Sequence, residues 1–315
     1  MNNKKVAVCS RSFSRNKVLR EKLSERYPLS TFNDEGVKLQ GDSLVAFLKG
    51  HEKAIIALEN IDETILKQLP ELEVISKYGV GLDMIDMSAM HSHCKLLGWS
   101  GGVSRRSVSE LVISFAIALL RHVPSSYREV LSGTWRQHVG SYLSGKTVGI
   151  IGCGAIGQDL SVLLKAFDCQ IIVNDIQDYS EFYELNHIKP VGLDQLLKSA
   201  DIVTLHTPLD DSTRNILNRQ KLELMKPSAI LINAARGGLV DEVALRNMLQ
   251  DNRIAAAAFD VFAVEPPEDK ELLELPNFLV TPHIGGSAEE AILAMGMAAI
   301  EGLDNAKDPL VFVRN

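Results

Sequence analysis

The chain lacks long apolar runs, basic charge excess and paired cysteines, and each absence removes a class of function. Its longest apolar stretch, Leu111 to Leu120, spans ten residues, about half of what crosses a bilayer. The opening Met1-Asn-Asn-Lys-Lys-Val-Ala-Val-Cys-Ser10 is too short an apolar run for a secretion signal and reads as a first strand. A formal net charge of −7 argues against nucleic acid as a partner, which needs a concentrated basic face. Cys9, Cys94, Cys153 and Cys169 lie in or beside apolar stretches without paired spacing, as reduced cytosolic thiols do. His91-Ser-His-Cys94 clusters metal-ligand types but has no distant partner set, so no metal is expected. No low-complexity tract or solenoid-length repeat is present. A cytoplasmic protein, folded throughout and without a membrane partner, is the expectation.

A chain of 315 residues exceeds what one hydrophobic core usually serves, so two units are expected. Short β-branched runs alternate with helical patterns, which implies parallel α/β architecture. Three such runs come first: Lys5 to Cys9, Lys53 to Leu58 and Leu72 to Ser76. Six more follow, ending at Ile151, Asn174, Leu205, Asn233, Phe259 and Thr281. Six make a full dinucleotide-binding sheet. Between the series, Ser107-Val-Ser-Glu110 has the form of a capping box opening a helix through about His122, stopped before Pro124. That helix is apolar on most sides and is expected to be buried. The helical stretch from Ser287 to about Asp304 follows the last strand and is expected to fold back onto the first unit.

Gly152-Cys-Gly-Ala-Ile-Gly157 directly follows a buried-type strand and opens a helical pattern over Gln158 to Phe167. Gly152 suits a tight turn, Gly154 lets backbone approach a pyrophosphate, and Gly157 lets helix pack close to strand. Asp175 ends the next strand, 18 residues after Gly157, where a carboxylate binds both ribose hydroxyls and repels a 2′-phosphate. Ile176, Gln177 and Asp178 follow, with no cation, so NAD is favoured over NADP.

Ligands of an open parallel sheet bind beyond the carboxyl ends of its strands. There the sequence places His206-Thr207-Pro208, then Ala234-Ala235-Arg236, then Asp260 with Glu265 just beyond, and finally Pro282-His283. Hydride exchange between a nicotinamide and a hydroxyl carbon needs a group that moves the hydroxyl proton, and histidine suits neutral pH. His283 fits that role, Glu265 fits the carboxylate that orients the far ring nitrogen, and Arg236 fits a bidentate anchor for a substrate carboxylate. Taken singly, each also reads as an ordinary polar residue: a strand-end histidine, a loop acid, a salt-bridge partner.

Gly152-Cys-Gly-Ala-Ile-Gly157, Asn233-Ala-Ala-Arg-Gly237, Asp260-Val-Phe-Ala-Val-Glu-Pro266 and Thr281-Pro-His-Ile-Gly-Gly286 resemble the signatures of the D-isomer-specific 2-hydroxyacid dehydrogenases. The phosphoglycerate dehydrogenases look nearest within that family, and the resemblance covers essentially the whole chain. It implies two Rossmann-like parallel-sheet domains. A flavodoxin-like substrate domain would occupy residues 1–99, completed by 286–315, and an NAD-binding domain 100–285. Arg236, Glu265 and His283 would be catalytic. Ala155 and Ile156 would meet the pyrophosphate, Thr207 and Ala234 would line the groove with His206, Pro208, Ala235 and Gly285, and Asp260 would bond the nicotinamide carboxamide. Lys77-Tyr-Gly-Val-Gly-Leu-Asp83 resembles the family's substrate loop, so Tyr78, Gly79, Val80 and Gly81 would bind substrate, with the Val80 and Gly81 backbone gripping its carboxylate. The resemblance also implies a homodimer through the NAD-binding domain.

Three departures stand out. Ala155 replaces a common Arg or Lys, which leaves a backbone contact intact. Arg105 and Arg106 stand where many relatives have Asn and small residues, and either could meet a second anionic group or cap the helix in solvent. The sequence ends at Asn315 without room for a regulatory domain, so feedback through one is not expected. The expected function is hydride transfer between NAD(H) and a 2-hydroxyacid/2-oxoacid pair, with 3-phosphoglycerate one substrate considered. An NAD-dependent sensor or corepressor and a dehydrogenase of an unusual donor such as phosphite remain the alternatives. Glu265, where formate specialists carry glutamine, speaks against formate.

Overall fold

The β-branched runs form strands in two separate parallel sheets of a computed structural model that describes residues 3–313. The chain divides into a unit of Met1–Ser104 with Ala288–Asn315 and a unit of Arg105–Ser287. The first unit holds β1 (Val6–Val8), β2 (Ser30–Phe32), β3 (Lys53–Ile56), β4 (Val74–Lys77) and β5 (Leu96–Gly98) in the order β2-β1-β3-β4-β5. This is the flavodoxin-like order. Alternate residues serve opposite cores, as a sheet covered on both faces requires. Ala7, Ala54, Ile56, Ile75 and Leu97 face one cluster, and Val6, Val8, Ile55 and Val74 the other. Three strands were expected here. The added pair, β2 and β5, are outer strands whose Ser-Thr-Phe and Leu-Leu-Gly lack the β-branched run of equally short β1.

The second unit holds β6 (Thr147–Ile151), β7 (Gln170–Asn174), β8 (Lys189–Pro190), β9 (Ile202–Leu205), β10 (Ile230–Asn233), β11 (Ala256–Phe259) and β12 (Phe278–Val280). Their order is β12-β11-β10-β9-β6-β7-β8, all parallel. The order reverses between β6 and β9, and the crevice beyond that reversal is where a doubly wound sheet takes its ligand. The unexpected seventh strand, β8, is a two-residue edge, where proline is tolerated.

Two helix expectations need correction. The helix Arg105–Leu120 starts before Ser107, whose Oγ donates to the Gly285 carbonyl at 2.6 Å and so is no cap. Pro124 sits in the first turn of a new helix, Val123–Leu131, after His122 takes a left-handed φ of 54°. The first helix is also one-sided. Val108, Val112, Phe115, Ala116 and Leu119 pack toward β10, β11 and the helix Ala155–Leu164, while Ser114 and Ile117 face outward.

The helix Glu289–Gly302 packs on β4 and β5 of the first unit. The approach is so close that a Cβ on Gly98 would lie 2.3 Å from the Gly302 carbonyl oxygen. Buried Ser76 donates to the Ala299 carbonyl at 2.6 Å across the same contact. Among the described residues no single helix is long and apolar enough to cross a membrane.

Candidate active site

The glycine loop joins β6 to the helix Ala155–Leu164, which begins three residues before the expected Gln158 and so puts Ala155 and Ile156 in its first turn. Gly154 is the N-cap and brings no side chain to it, leaving first-turn amides directed outward. A Cβ on Gly154 would meet nothing within 4 Å. Gly152 takes φ 94° beside the His206 carbonyl, where a Cβ would stand 2.6 Å from its oxygen. Asp175 receives the amides of Cys153 and, at 2.8 Å, Gln177, so one carboxylate ties the glycine loop to the end of β7. Burial pushes the Cys153 thiol up to about 11, which makes it inert at neutral pH.

His206 accepts or donates at Nε2 with Thr204 Oγ1 at 3.0 Å, and burial pushes its pKa down to about 3, so the ring stays neutral. Its Nδ1 and the neighbouring Thr207 Oγ1 are buried polar atoms without a partner among the described residues. Such orphans are costly unless a ligand satisfies them. An open helix N-terminus, the empty space over Gly154, the ribose-type carboxylate and these orphans fit a dinucleotide, with Asp175 favouring NAD.

The loops after β10, β11 and β12 carry the candidate side chains Arg236, Glu265 and His283. His283 Nδ1 lies 2.9 Å from Glu265 Oε2, and Glu265 Oε1 accepts from the Phe262 amide at 3.1 Å. The two side chains are 48% and 39% exposed, so the pair adds little stability. What the bond supplies is orientation, since it commits Nδ1 and leaves Nε2 for chemistry. His283 adopts a left-handed φ of 55°, a conformation that surroundings must impose on a residue with a Cβ. Asp260, 1% exposed, imposes it by accepting from Thr281 Oγ1, the Ile284 amide at 2.8 Å and the Gly285 amide at 2.7 Å. Asp260 therefore acts on the histidine loop in addition to any contact with nicotinamide.

The backbone at Arg236 is held by Asn233, a residue with no reactive group of its own. Asn233, 1% exposed, donates to the Arg236 carbonyl at 2.8 Å and accepts from the Ala235 amide at 3.2 Å. Gly237 then presses on the Phe262–Ala263 backbone, where a Cβ would meet the Phe262 carbonyl at 1.9 Å, so the arginine loop abuts the segment leading to Glu265. Ala234 and Ala235 are buried beneath it, and Pro208 is exposed at the rim. A largely apolar pocket of about 370 Å³, lined by Phe262, Pro266, Pro267 and Val280, opens beside His283 and Glu265.

Tyr78, Gly79, Val80 and Gly81 follow β4 in the first unit. Tyr78 is held in the core of the first unit. It is 7% exposed, packs edge-on against Phe13 and bonds Ser12 Oγ at 3.2 Å, because its body completes the core. Arg106, open between an anion contact and a solvated helix cap on sequence alone, is exposed and ion-paired. It makes a two-bond pair with Asp159 at 2.9 and 3.0 Å and clips two helices together, with Arg105 within 4.0 Å of the same acid. His91 bonds Asp308 and His93 bonds Glu63, so the two histidines serve different carboxylates.

The family model described as the NAD binding domain of D-isomer specific 2-hydroxyacid dehydrogenases matches residues 113–285. A D-3-phosphoglycerate dehydrogenase of Methanocaldococcus jannaschii is 39% identical over 76% of this chain and 47% of its own length. A hydroxypyruvate reductase of Thermotoga maritima is 35% identical over 84% of this chain and 87% of its own. The chain thus spans about half the length of the phosphoglycerate dehydrogenases it matches. A solved NAD-binding D-isomer specific 2-hydroxyacid dehydrogenase from Polaromonas superposes with a TM-score of 0.88 at 27% identity, covering 96% of both chains.

Proposed function

The chain belongs to the D-isomer-specific 2-hydroxyacid dehydrogenase family, and from that membership we propose that it interconverts a short 2-hydroxyacid and its 2-oxoacid using NAD(H). The observation that carries the reading is the 2.9 Å bond from His283 Nδ1 to Glu265 at the edge that holds the glycine loop. NAD supplies the hydride acceptor for oxidation and, as NADH, the donor for reduction. His283 Nε2 takes the hydroxyl proton in oxidation and returns it in reduction. Glu265 holds the opposite nitrogen and stabilises the imidazolium that forms. Arg236 pairs with the substrate carboxylate and polarises the adjacent carbonyl. By the family resemblance the Val80 and Gly81 amides are assigned to a substrate carboxylate, and Asp175 to the adenosine ribose.

The substrate is taken to be a three-carbon acid of the glycerate type, phosphorylated or not, because both kinds of relative act on one by name. Assembly as a homodimer through the second unit is supported by Tyr127, Leu131, Trp135, Val139 and Tyr142, which are 65% to 94% exposed along one segment. Contiguous apolar exposure of that kind marks an association surface.

The test is NADH absorbance on addition of hydroxypyruvate, 3-phosphohydroxypyruvate, pyruvate, glyoxylate and bulkier 2-oxoacids. His283→Ala is expected to lower turnover about 10²–10⁴-fold with NADH affinity nearly unchanged. Equal turnover by the variant, or no oxidation of NADH with any 2-oxoacid, refutes the reading.

A further inference from the structure

The loop Gly79-Val80-Gly81 exposes two donors. Among the described residues neither the Val80 nor the Gly81 N–H makes a hydrogen bond. The Val80 carbonyl, by contrast, is engaged: the Trp99 indole Nε1–H donates to it at 3.1 Å. The carbonyl of Val80 and the N–H of Gly81 belong to one planar trans peptide, in which the two point in opposite directions. Pinning the oxygen therefore aims the N–H. It also polarises the peptide, which makes the N–H a stronger donor.

The indole is itself held. Its ring stands edge-on to Phe312 with centroids 5.4 Å apart and planes at 75°. On another side it lies over Gly101, where a Cβ would come within 2.8 Å of the ring. Part of the side chain packs on the core of the first unit. A residue held this way is costly to order for the sake of one surface hydrogen bond unless the bonded peptide matters.

We propose that Trp99 is a positioning residue for substrate binding: it fixes the Val80–Gly81 peptide so that the Gly81 N–H is presented to the carboxylate of a 2-oxoacid. The inference rests on the assignment of those amides to the substrate carboxylate made above. Its effect falls on ground-state capture of the carboxylate, which the substrate carries before, during and after hydride transfer. Uniform binding of that kind appears in KM and leaves kcat alone.

Trp99→Phe keeps an aromatic ring and removes the donor, together with the outer part of the indole that lies over Gly101. Loss of one neutral hydrogen bond predicts a KM for the 2-oxoacid raised roughly two- to tenfold, with kcat within about twofold. Oxamate, a 2-oxoacid isostere that is not reduced, should bind the enzyme–NADH complex more weakly by the same factor. NADH affinity should stay at the wild-type value, while melting temperature should fall only by what the smaller ring loses in packing. Gly101→Ala, which displaces the indole without altering it, should reproduce the pattern. Unchanged KM and oxamate binding in Trp99→Phe overturns the role while leaving the enzyme reading intact, as does a fall in kcat at constant KM. A wild-type protein that reduces no 2-oxoacid overturns the role and the enzyme reading together.

Discussion

The two sheets end their strands alike, in loops at the carboxyl edge, yet they offer opposite kinds of chemistry there. In the seven-stranded sheet the loops present side chains, and buried polar residues hold the backbone beneath them. Asn233 and Asp260, each 1% exposed, fix the loops of Arg236 and His283. In the five-stranded sheet the side chains turn away, Tyr78 into the core and Lys77 onto the Ala57 carbonyl, so the loop presents its backbone. There an indole does the holding. The contrast teaches that a loop at a strand end can be fixed from beneath by an amide, a carboxylate or an indole. Which one serves depends on whether the loop displays side chains or peptides.

After loss of His283 itself, the largest expected effect on this contrast comes from Asp260→Ala. It strands the Ile284 and Gly285 amides and the Thr281 hydroxyl. Each unsatisfied buried group costs about 1–3 kcal/mol, and an imidazole displaced by about 1 Å costs on the order of 10²-fold in rate. Turnover and melting temperature should fall together, measured by steady-state kinetics and thermal unfolding. Trp99→Phe should move KM alone. If Asp260→Ala keeps wild-type turnover, the buried carboxylate is not scaffolding and the comparison fails. A smaller effect is expected from Asp175→Ala, which removes charge-assisted bonds to ribose and the repulsion of a 2′-phosphate. The preference for NAD over NADP should drop about 10-fold, read as the ratio of kcat/KM values.

The difference between the sheets also explains what the sequence disclosed. Arg236, Glu265, His283 and Asp175 could be named as candidates because the chemistry proposed demands particular side chains at strand ends, and the glycine loop because only glycine permits its turn and its close approaches. The outer strands β2, β5 and β8 could not, since Ser-Thr-Phe, Leu-Leu-Gly and Lys-Pro lack the β-branched apolar run that marks the short β1 and β12. Asn233 stood at the head of a quoted motif but carries no reactive group, so only its buried bonds identify it. Trp99 was hidden for the same reason in stronger form, because the group it serves is a peptide. The helix start at Arg105 was missed because Ser107 spends its hydroxyl on a carbonyl 178 residues away, a tertiary contact that local capping rules do not foresee.

Two glycines reduce the comparison to single methyl groups. A Cβ on Gly154 meets nothing within 4 Å, whereas on Gly296 it would stand 2.3 Å from the Leu19 side chain. Gly154→Ala should therefore leave folding intact while weakening NADH on the order of tenfold, because the methyl enters space kept for backbone approach to a pyrophosphate. Gly296→Ala has the smaller and opposite signature. Alanine gains about 1 kcal/mol in helix propensity, but Leu19 is fully buried and overpacking costs roughly 1–3 kcal/mol. The clash wins narrowly, and a modest loss of stability in denaturant titration should accompany unchanged NADH affinity, since every residue assigned to the cofactor lies in the second unit. Stability lost by Gly154→Ala, or NADH affinity lost by Gly296→Ala, would mean that packing and ligand space are not divided between the sheets in this way.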